Sequence, residues 1–166
     1  MAVHTLTAKQ IIMATREQAW EFFSDPRNLA RITPPEMAFE IITPDLPPRI
    51  RPGLMIAHRV RPLFGVPMTW LSEITQVREG ECFIDEQRIG PYAVWHHEHW
   101  FHEIGCGRIE IEDRVTYMLP FGWLGNLAHA FLVKPQLDRI FAFREQAVRK
   151  FFPENQSRGS QLESRQ

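Results

Sequence analysis

The sequence predicts an α+β fold in which a curved antiparallel sheet wraps around one long C-terminal helix. Residues 54–119 contain β-type segments joined by short turns, and such strands must pair antiparallel because a parallel return needs about a dozen residues or more. From residue 135 the apolar period becomes helical. The stripe on that helix consists of Leu137, Ile140, Phe141, Arg144, Val148 and Phe151. A sheet bent around the helix would bury both this stripe and one face of the sheet.

The first third of the chain predicts one strand followed by two short helices. Thr15-Arg16-Glu17-Gln18 is a capping box that opens the first helix. Asp25-Pro26 combines an N-cap residue with a first-turn proline and opens the second helix. The predicted elements are a strand at 3–13, helices at 15–23 and 26–31, a brief strand at 39–42 and a proline-rich loop at 44–52.

The remainder predicts a meander of strands and then the long helix. Pro135 suits the first turn of a helix over 135–151, so residues 122–133 are expected to form a separate helical turn or lid. Residues 154–166 are polar and rich in Ser and Gln, which predicts a disordered tail after one domain spanning 1–153. The predicted strands of the meander are 54–61, 67–77, 81–89, 93–103 and 108–119.

Composition narrows the possible function classes. A net charge of −1 gives no overall attraction to nucleic acid or to an anionic membrane. No apolar run is long enough to span a bilayer, and the N-terminus lacks the features of a signal peptide. Cys82 and Cys106 match no metal-binding or redox spacing and are expected to be reduced thiols. We therefore expect a cytoplasmic protein without membrane insertion and without nucleic-acid binding.

Several sequence blocks together resemble one branch of the SRPBCC superfamily, which groups START lipid-transfer domains, polyketide cyclases and the birch-pollen allergen. The resemblance covers residues 1–153 in matching order. It implies a helix-grip fold, a ligand cavity and no metal or other cofactor, but it does not fix the chemistry, because one fold hosts many functions. The blocks are Phe23-Ser24-Asp25-Pro26, Ile32-Thr33-Pro34-Pro35, Asp85-Glu86-Gln87, Gly90-Pro91-Tyr92, Trp95-x-His97-x-His99-x-Phe101, Asp113-x-Val115-x-Tyr117 and Leu119-Pro120-Phe121-Gly122.

The strand at 93–103 carries the most informative polar residues. Its alternation places Trp95, His97, His99 and Phe101 on one face. On the next strand, Asp113 is the only acid on a face otherwise made of Ile109, Ile111, Val115, Tyr117 and Leu119. The opposite face, with Arg108, Glu110, Glu112, Arg114 and Thr116, is expected to be solvated. A carboxylate that points inward needs a partner, because an unpaired buried charge is costly.

Hairpin geometry suggests which partner the inward carboxylate finds. A three-residue loop at 104–106 would pair His97 with Asp113, and a three-residue loop at 90–92 would pair Asp85 with His97. The sequence thus predicts a row Asp85–His97–Asp113, with Gln87 and His99 beside it. Two flanking carboxylates should raise the pKa of His97 above its ordinary value.

This row has several interpretations. It could be a self-satisfied polar network, the polar part of a ligand pocket, an acid–base site, or a zinc or iron site, since His-x-His with a carboxylate is chemically adequate. Candidate catalytic residues are His97, His99, Asp85 and Asp113. Candidate ligand-binding residues are Trp70, Gln87, Trp95, His97, His99, Phe101, Tyr117, Phe141 and Arg144.

The favoured function is binding of a small hydrophobic molecule with a polar group, for sensing, carrying or storage. The alternative is a cyclase or dehydratase that acts on a polyketide-like or aromatic substrate by His/Asp acid–base chemistry. A protein-interaction domain would instead show a filled cavity and an exposed apolar patch. The expected partner is a small hydrophobic molecule, and a homodimer is a further possibility.

Overall fold

Seven strands form one curved antiparallel sheet in the computed structural model, which describes residues 2–62 and 65–153. The strand order is β1-β7-β6-β5-β4-β3-β2. The bounds are β1 Val3–Met13, β2 Glu40–Ile41, β3 Leu54–Val60, β4 Met68–Arg78, β5 Cys82–Ile89, β6 Val94–Gly105 and β7 Arg108–Met118. The predicted fold class and every predicted strand are confirmed, and strand ends differ from the prediction by at most two residues.

The curvature has a local cause in the pairing of β4 with β5. The register shifts between Leu71 and Ser72, where Arg88 of β5 is unpaired, and between Ile74 and Gln76, where Thr75 of β4 is unpaired. Each such irregularity inserts an unpaired residue, bends the strand and increases its twist. The bent sheet presents a concave face that can surround a helix.

The two predicted short helices follow β1. Helix α1, Arg16–Ser24, begins with the expected capping box: Thr15 Oγ1 accepts a hydrogen bond from the backbone N–H of Gln18 at 3.2 Å. The Gln18 side chain accepts in return from the backbone N–H of Thr15 at 2.9 Å. The second element, Pro26–Ile32, is a 3₁₀ helix capped by Asp25.

The C-terminal helix is longer than predicted. Helix α2, Trp123–Ala128, runs through a π turn at His129–Val133 into α3, Lys134–Phe151, giving 29 helical residues. The prediction that 122–133 is a separate turn or lid is therefore wrong. Pro135 does not begin the helix, because it directly follows the π turn, in which Lys134 N–H donates to the His129 carbonyl. A turn that is already irregular accommodates a proline that has no N–H to donate.

The helix and the sheet bury two groups of apolar side chains. One surrounds Trp20, whose ring meets Phe83 and Phe101 edge-on with centroid distances of 6.2 and 5.7 Å. The other contains Val115, Tyr117 and Leu137. Such edge-to-face aromatic pairs stabilise a core beyond their buried area.

The outer face of β7 differs from the prediction at one position. Glu112 was expected to be solvated, but it is only 4% exposed. Arg114 Nε donates to its Oε1 at 2.6 Å, and Lys9 Nζ lies 3.4 Å from its Oε2. The long side chains of these two basic residues cover the carboxylate, as stems of Lys and Arg often do.

Two sequence-based expectations concern the ends of the chain and the membrane. The predicted disordered tail at 154–166 lies outside the described residues. Within the described part of the chain, no helix combines the length and apolar character needed to cross a bilayer. Apolar side chains are nevertheless exposed around the start of the long helix, including Phe121, Trp123 and Phe131.

Candidate functional site

A cavity of about 200 Å³ lies between the concave face of the sheet, the 3₁₀ helix and α3. Most of its wall is apolar because the inward positions of β3–β6 and the helix stripe are apolar. Representative lining residues are Phe23, Leu29, Ile56, Trp70, Trp95 and Phe141. The indole rings of Trp70 and Trp95 meet edge-on with their centroids 5.2 Å apart.

One end of the cavity is polar. Asp85, His97, His99 and Arg144 all line it, whereas Asp113 lies behind them, away from the cavity. Asp113 Oδ1 lies 3.0 Å from His97 Nε2, 2.8 Å from His99 Nδ1 and 3.3 Å from an Arg144 nitrogen. We call Asp85, His97, His99, Asp113 and Arg144 the polar cluster.

Asp85 closes the polar cluster on the cavity side. Its Oδ2 lies 2.9 Å from His99 Nε2 and 3.6 Å from His97 Nδ1. The two imidazole rings are 3.8 Å apart between centroids. Each carboxylate therefore contacts both imidazoles, with Asp113 on the inner side and Asp85 on the side of the cavity.

The register of the two hairpins explains this arrangement. Asp85 pairs with His97, as predicted. The predicted pairing of His97 with Asp113 is wrong: Asp113 pairs with His99, and His97 pairs with Val115. The connection is a tight turn at Cys106-Gly107, where both residues have positive φ, and a bulge near Ile104 precedes this turn on β6. A shift of two residues keeps every side chain on its predicted face, so the cluster still forms.

The protonation of the two histidines also differs from the prediction. Burial alone would lower the pKa of His99, but hydrogen bonds to Asp113 and Asp85 outweigh burial and raise it. Burial, together with the charge of His99, lowers the pKa of His97. The expected rise of the His97 pKa is thus wrong, because the histidine held closely by both carboxylates is His99.

His99 Nδ1 lies close to two groups of opposite charge, a carboxylate and a guanidinium. Nδ1 lies 2.8 Å from Asp113 Oδ1 and 3.3 Å from an Arg144 nitrogen. Because the shorter contact is to a carboxylate, Nδ1 carries a proton and donates it to Asp113. The Arg144 guanidinium then forms its ion pair with Asp113 and does not donate to His99. Burial would raise the pKa of Asp113, but Arg144 and the two histidines hold it well below its usual range.

Six of the nine predicted ligand-binding residues line the cavity: Trp70, Trp95, His97, His99, Phe141 and Arg144. The other three do not. Gln87 Nε2 donates to the Tyr92 carbonyl at 2.7 Å and holds the β5–β6 turn. Phe101 packs in the apolar core, and the Tyr117 hydroxyl is 2.8 Å from His129 Nε2. The four candidate catalytic residues, His97, His99, Asp85 and Asp113, all belong to the polar cluster.

The sequence-based prediction missed His58. This residue lines the cavity, is 4% exposed, and its Nδ1 has no hydrogen-bond partner among residues 2–62 and 65–153. Burial lowers its pKa to about 4, against a smaller opposing effect of Asp85. The alternation Leu54, Ile56, His58, Val60 was a signal that could have placed it on the inner face.

No protein-family model matches the sequence, and no curated protein matches it significantly. Solved structures match over most of the chain. A START superfamily protein from Mycobacterium smegmatis has a TM-score of 0.67 at 12% identity, covering 90% of this chain and 97% of that one. The Zhui aromatase/cyclase from Streptomyces sp. R1128 has a TM-score of 0.64 at 13% identity, covering 93% and 99%.

Ara h 8.0201 has a TM-score of 0.56 at 16% identity, covering 90% of this chain and 99% of its own. Identities this low establish the common fold and leave the chemistry open. The chain thus has the helix-grip fold of these START, aromatase/cyclase and Ara h 8 structures, as its resemblance to the SRPBCC superfamily implies.

Proposed function

We propose that the chain binds a small hydrophobic molecule with one polar group, which it carries, stores or senses. The observation that carries this proposal is the cavity itself, whose apolar wall ends at the side chains of Asp85, His97, His99 and Arg144. Ligand pockets typically combine a mostly apolar lining with a few placed polar groups that orient the ligand.

The cavity volume limits the size of the ligand. An engineered apolar cavity of about 150 Å³ binds benzene, and the volume here is about 200 Å³. A molecule with a single ring, or with two fused rings, suits this volume. Its polar group would hydrogen-bond to the polar cluster. Of the other polar side chains in the wall, Asp25, Asn28, Thr33 and Gln136 already hydrogen-bond within the protein, which leaves His58, Ser72 and Tyr92.

Calorimetric titration with 2-naphthol and naphthalene tests the proposal, because the two probes differ by one hydroxyl group. We expect naphthol to bind with one molecule per chain and more tightly than naphthalene. Ile140→Trp, which fills the cavity wall, should weaken binding by at least about tenfold, or roughly 1.4 kcal/mol. The matched control Ile104→Trp lies on an exposed hairpin and should leave binding unchanged.

Failure of both probes to bind, or equal weakening by the two tryptophan variants, would contradict an internal ligand site. Native mass spectrometry of the freshly purified protein gives independent support if it detects a co-purified molecule whose mass is lost in Ile140→Trp.

The geometry of His97 favours acid–base catalysis as a second candidate function. Its Nε2 is held at 3.0 Å by Asp113, while Nδ1 faces the cavity side with Asp85 no closer than 3.6 Å. A histidine oriented by a carboxylate, with its other nitrogen directed toward a bound molecule, is the arrangement of a general base. The aromatase/cyclase with the same fold makes cyclase or dehydratase chemistry the natural reaction class to test.

Hydrogen–deuterium exchange of 2-tetralone, a bicyclic ketone with acidic C–H groups, would report such catalysis by NMR. We expect the protein to accelerate exchange, and His97→Asn to abolish the acceleration while 2-tetralone affinity stays within a few-fold. Exchange at the buffer rate with the ketone bound would exclude this second candidate and leave ligand binding.

A further inference from the structure

We propose that Asp85, His97 and His99 bind a divalent transition metal ion, zinc being the simplest case, at the polar end of the cavity. This inference goes beyond the proposed ligand binding and departs from the sequence-based expectation of no metal. Imidazole nitrogens and a carboxylate oxygen are the donors that zinc and neighbouring metals take in proteins.

The three donor atoms have the spacing that one ion requires. One donor atom from each residue lies within 4.8 Å of the others. Asp85 Oδ2 is 2.9 Å from His99 Nε2 and 3.6 Å from His97 Nδ1. Zinc bonds of about 2.0–2.1 Å in tetrahedral geometry separate neighbouring ligands by about 3.4 Å, so small side-chain movements suffice.

Asp113 orients both imidazoles from behind. It contacts Nε2 of His97 at 3.0 Å and Nδ1 of His99 at 2.8 Å, which leaves the opposite nitrogen of each ring directed toward Asp85. A histidine that ligates a metal almost always donates its second N–H to a carboxylate or carbonyl, which fixes the ring and its tautomer. Here one buried carboxylate performs this task for two histidines.

The charges of the polar cluster also favour a cation. With both imidazoles neutral, as metal ligation requires, Asp85 and Asp113 outnumber Arg144 by one negative charge. A bound divalent ion would change the net charge of the polar cluster from one negative to one positive charge. The three ligating residues line the cavity and Asp113 does not, so the remaining coordination direction faces the cavity. An anionic oxygen of a cavity ligand would there complete four-coordination and neutralise the site, as in zinc sites with three protein ligands.

Metal binding by chelator-treated protein tests the inference without any assay of activity. We expect one Zn²⁺ per chain in competition with a chromophoric chelator, an increase in melting temperature on adding Zn²⁺, and the visible spectrum of four-coordinate Co²⁺. Asp85→Asn and His99→Asn should each abolish these effects. Asp113→Asn should weaken Zn²⁺ affinity by about 10–100-fold, because it removes only the orienting carboxylate.

Two control variants distinguish Zn²⁺ binding at this site from Zn²⁺ binding at other histidines. His58→Asn changes a buried histidine of the same cavity, and His96→Asn changes an outer-face histidine 3.0 Å from Glu86. Both should bind Zn²⁺ as the unaltered protein does. Binding lost in His96→Asn but kept in Asp85→Asn, or no stoichiometric binding at all, would overturn the inference. Circular dichroism confirms that each compared variant is folded.

The naphthol titration of the metal-free protein keeps the two proposals distinct. Naphthol binding without Zn²⁺ binding would refute only the metal site. Zn²⁺ binding without naphthol binding would refute only the proposed ligand.

Discussion

Asp113→Asn is expected to lower the free energy of unfolding by about 3–5 kcal/mol in metal-free protein. The Asp113 side chain is 8% exposed and contacts the Arg144 guanidinium at 3.3 Å and both cluster histidines. Its removal leaves the buried Arg144 guanidinium without the carboxylate that contacts it, and removing one partner of a buried ion pair is costly. Urea-induced unfolding followed by far-UV circular dichroism measures the loss.

A double variant distinguishes a stranded charge from simple loss of packing. Adding Arg144→Met to Asp113→Asn removes the charge that the single change leaves buried, so the double variant should be more stable than Asp113→Asn alone. Glu110→Gln, on the outer face of the same strand, serves as the control and should change stability by no more than about 0.5 kcal/mol. A cost for Asp113→Asn as small as that of this control would refute the role assigned to Asp113.

His58 should make the fold markedly less stable in acid. The folded pKa of about 4 lies below the ordinary value of 6.5, because burial disfavours the imidazolium. Between these values the unfolded chain binds more protons than the folded chain. The stabilising effect of the neutral ring is therefore complete above about pH 6.5 and is lost as the pH falls toward 4, amounting to about 3 kcal/mol.

The variant His58→Phe isolates this effect from the other acids and histidines that titrate in the same range. Phenylalanine keeps an aromatic ring beside Phe39, whose ring centroid is 4.8 Å from that of His58. Unfolding free energies of both proteins should be measured at several pH values from about 7 down to 4. The two curves should diverge as the pH falls, with the unaltered protein losing more stability. Parallel curves would show that His58 is not buried in its neutral form.

The architecture could be predicted from the sequence because the sequence patterns that indicate helices and strands are local. The capping box at Thr15 and the alternation of β7 each depend on neighbours only a few residues away. The inward direction of His97, His99 and Asp113 followed from the period of two alone. Six predicted pocket residues line the cavity for the same reason.

Features that depend on three-dimensional detail were not predictable in this way. The register of β6 and β7 was missed because Cys106 adopts a positive φ, which non-glycine residues rarely do, and so shortens the turn. The side-chain contacts that make His99 rather than His97 the doubly held imidazole follow from that register. Phe101 and Tyr117 do face inward, but core packing surrounds them, and alternation does not reveal how far along a strand a cavity extends.

The π turn at His129–Val133 determines how the C-terminal helix can change in length. It accommodates one residue more than a regular turn, so removing a residue there would restore a regular α-helix, whereas adding a residue would rotate α2 by about 100° relative to α3. In the present phase Gly125 faces Pro120, and a Cβ at position 125 would collide with the Pro120 carbonyl oxygen. Any other residue at position 125 would carry such a Cβ. Over evolutionary time, the segment at His129–Val133 should therefore lose a single residue more readily than it gains one.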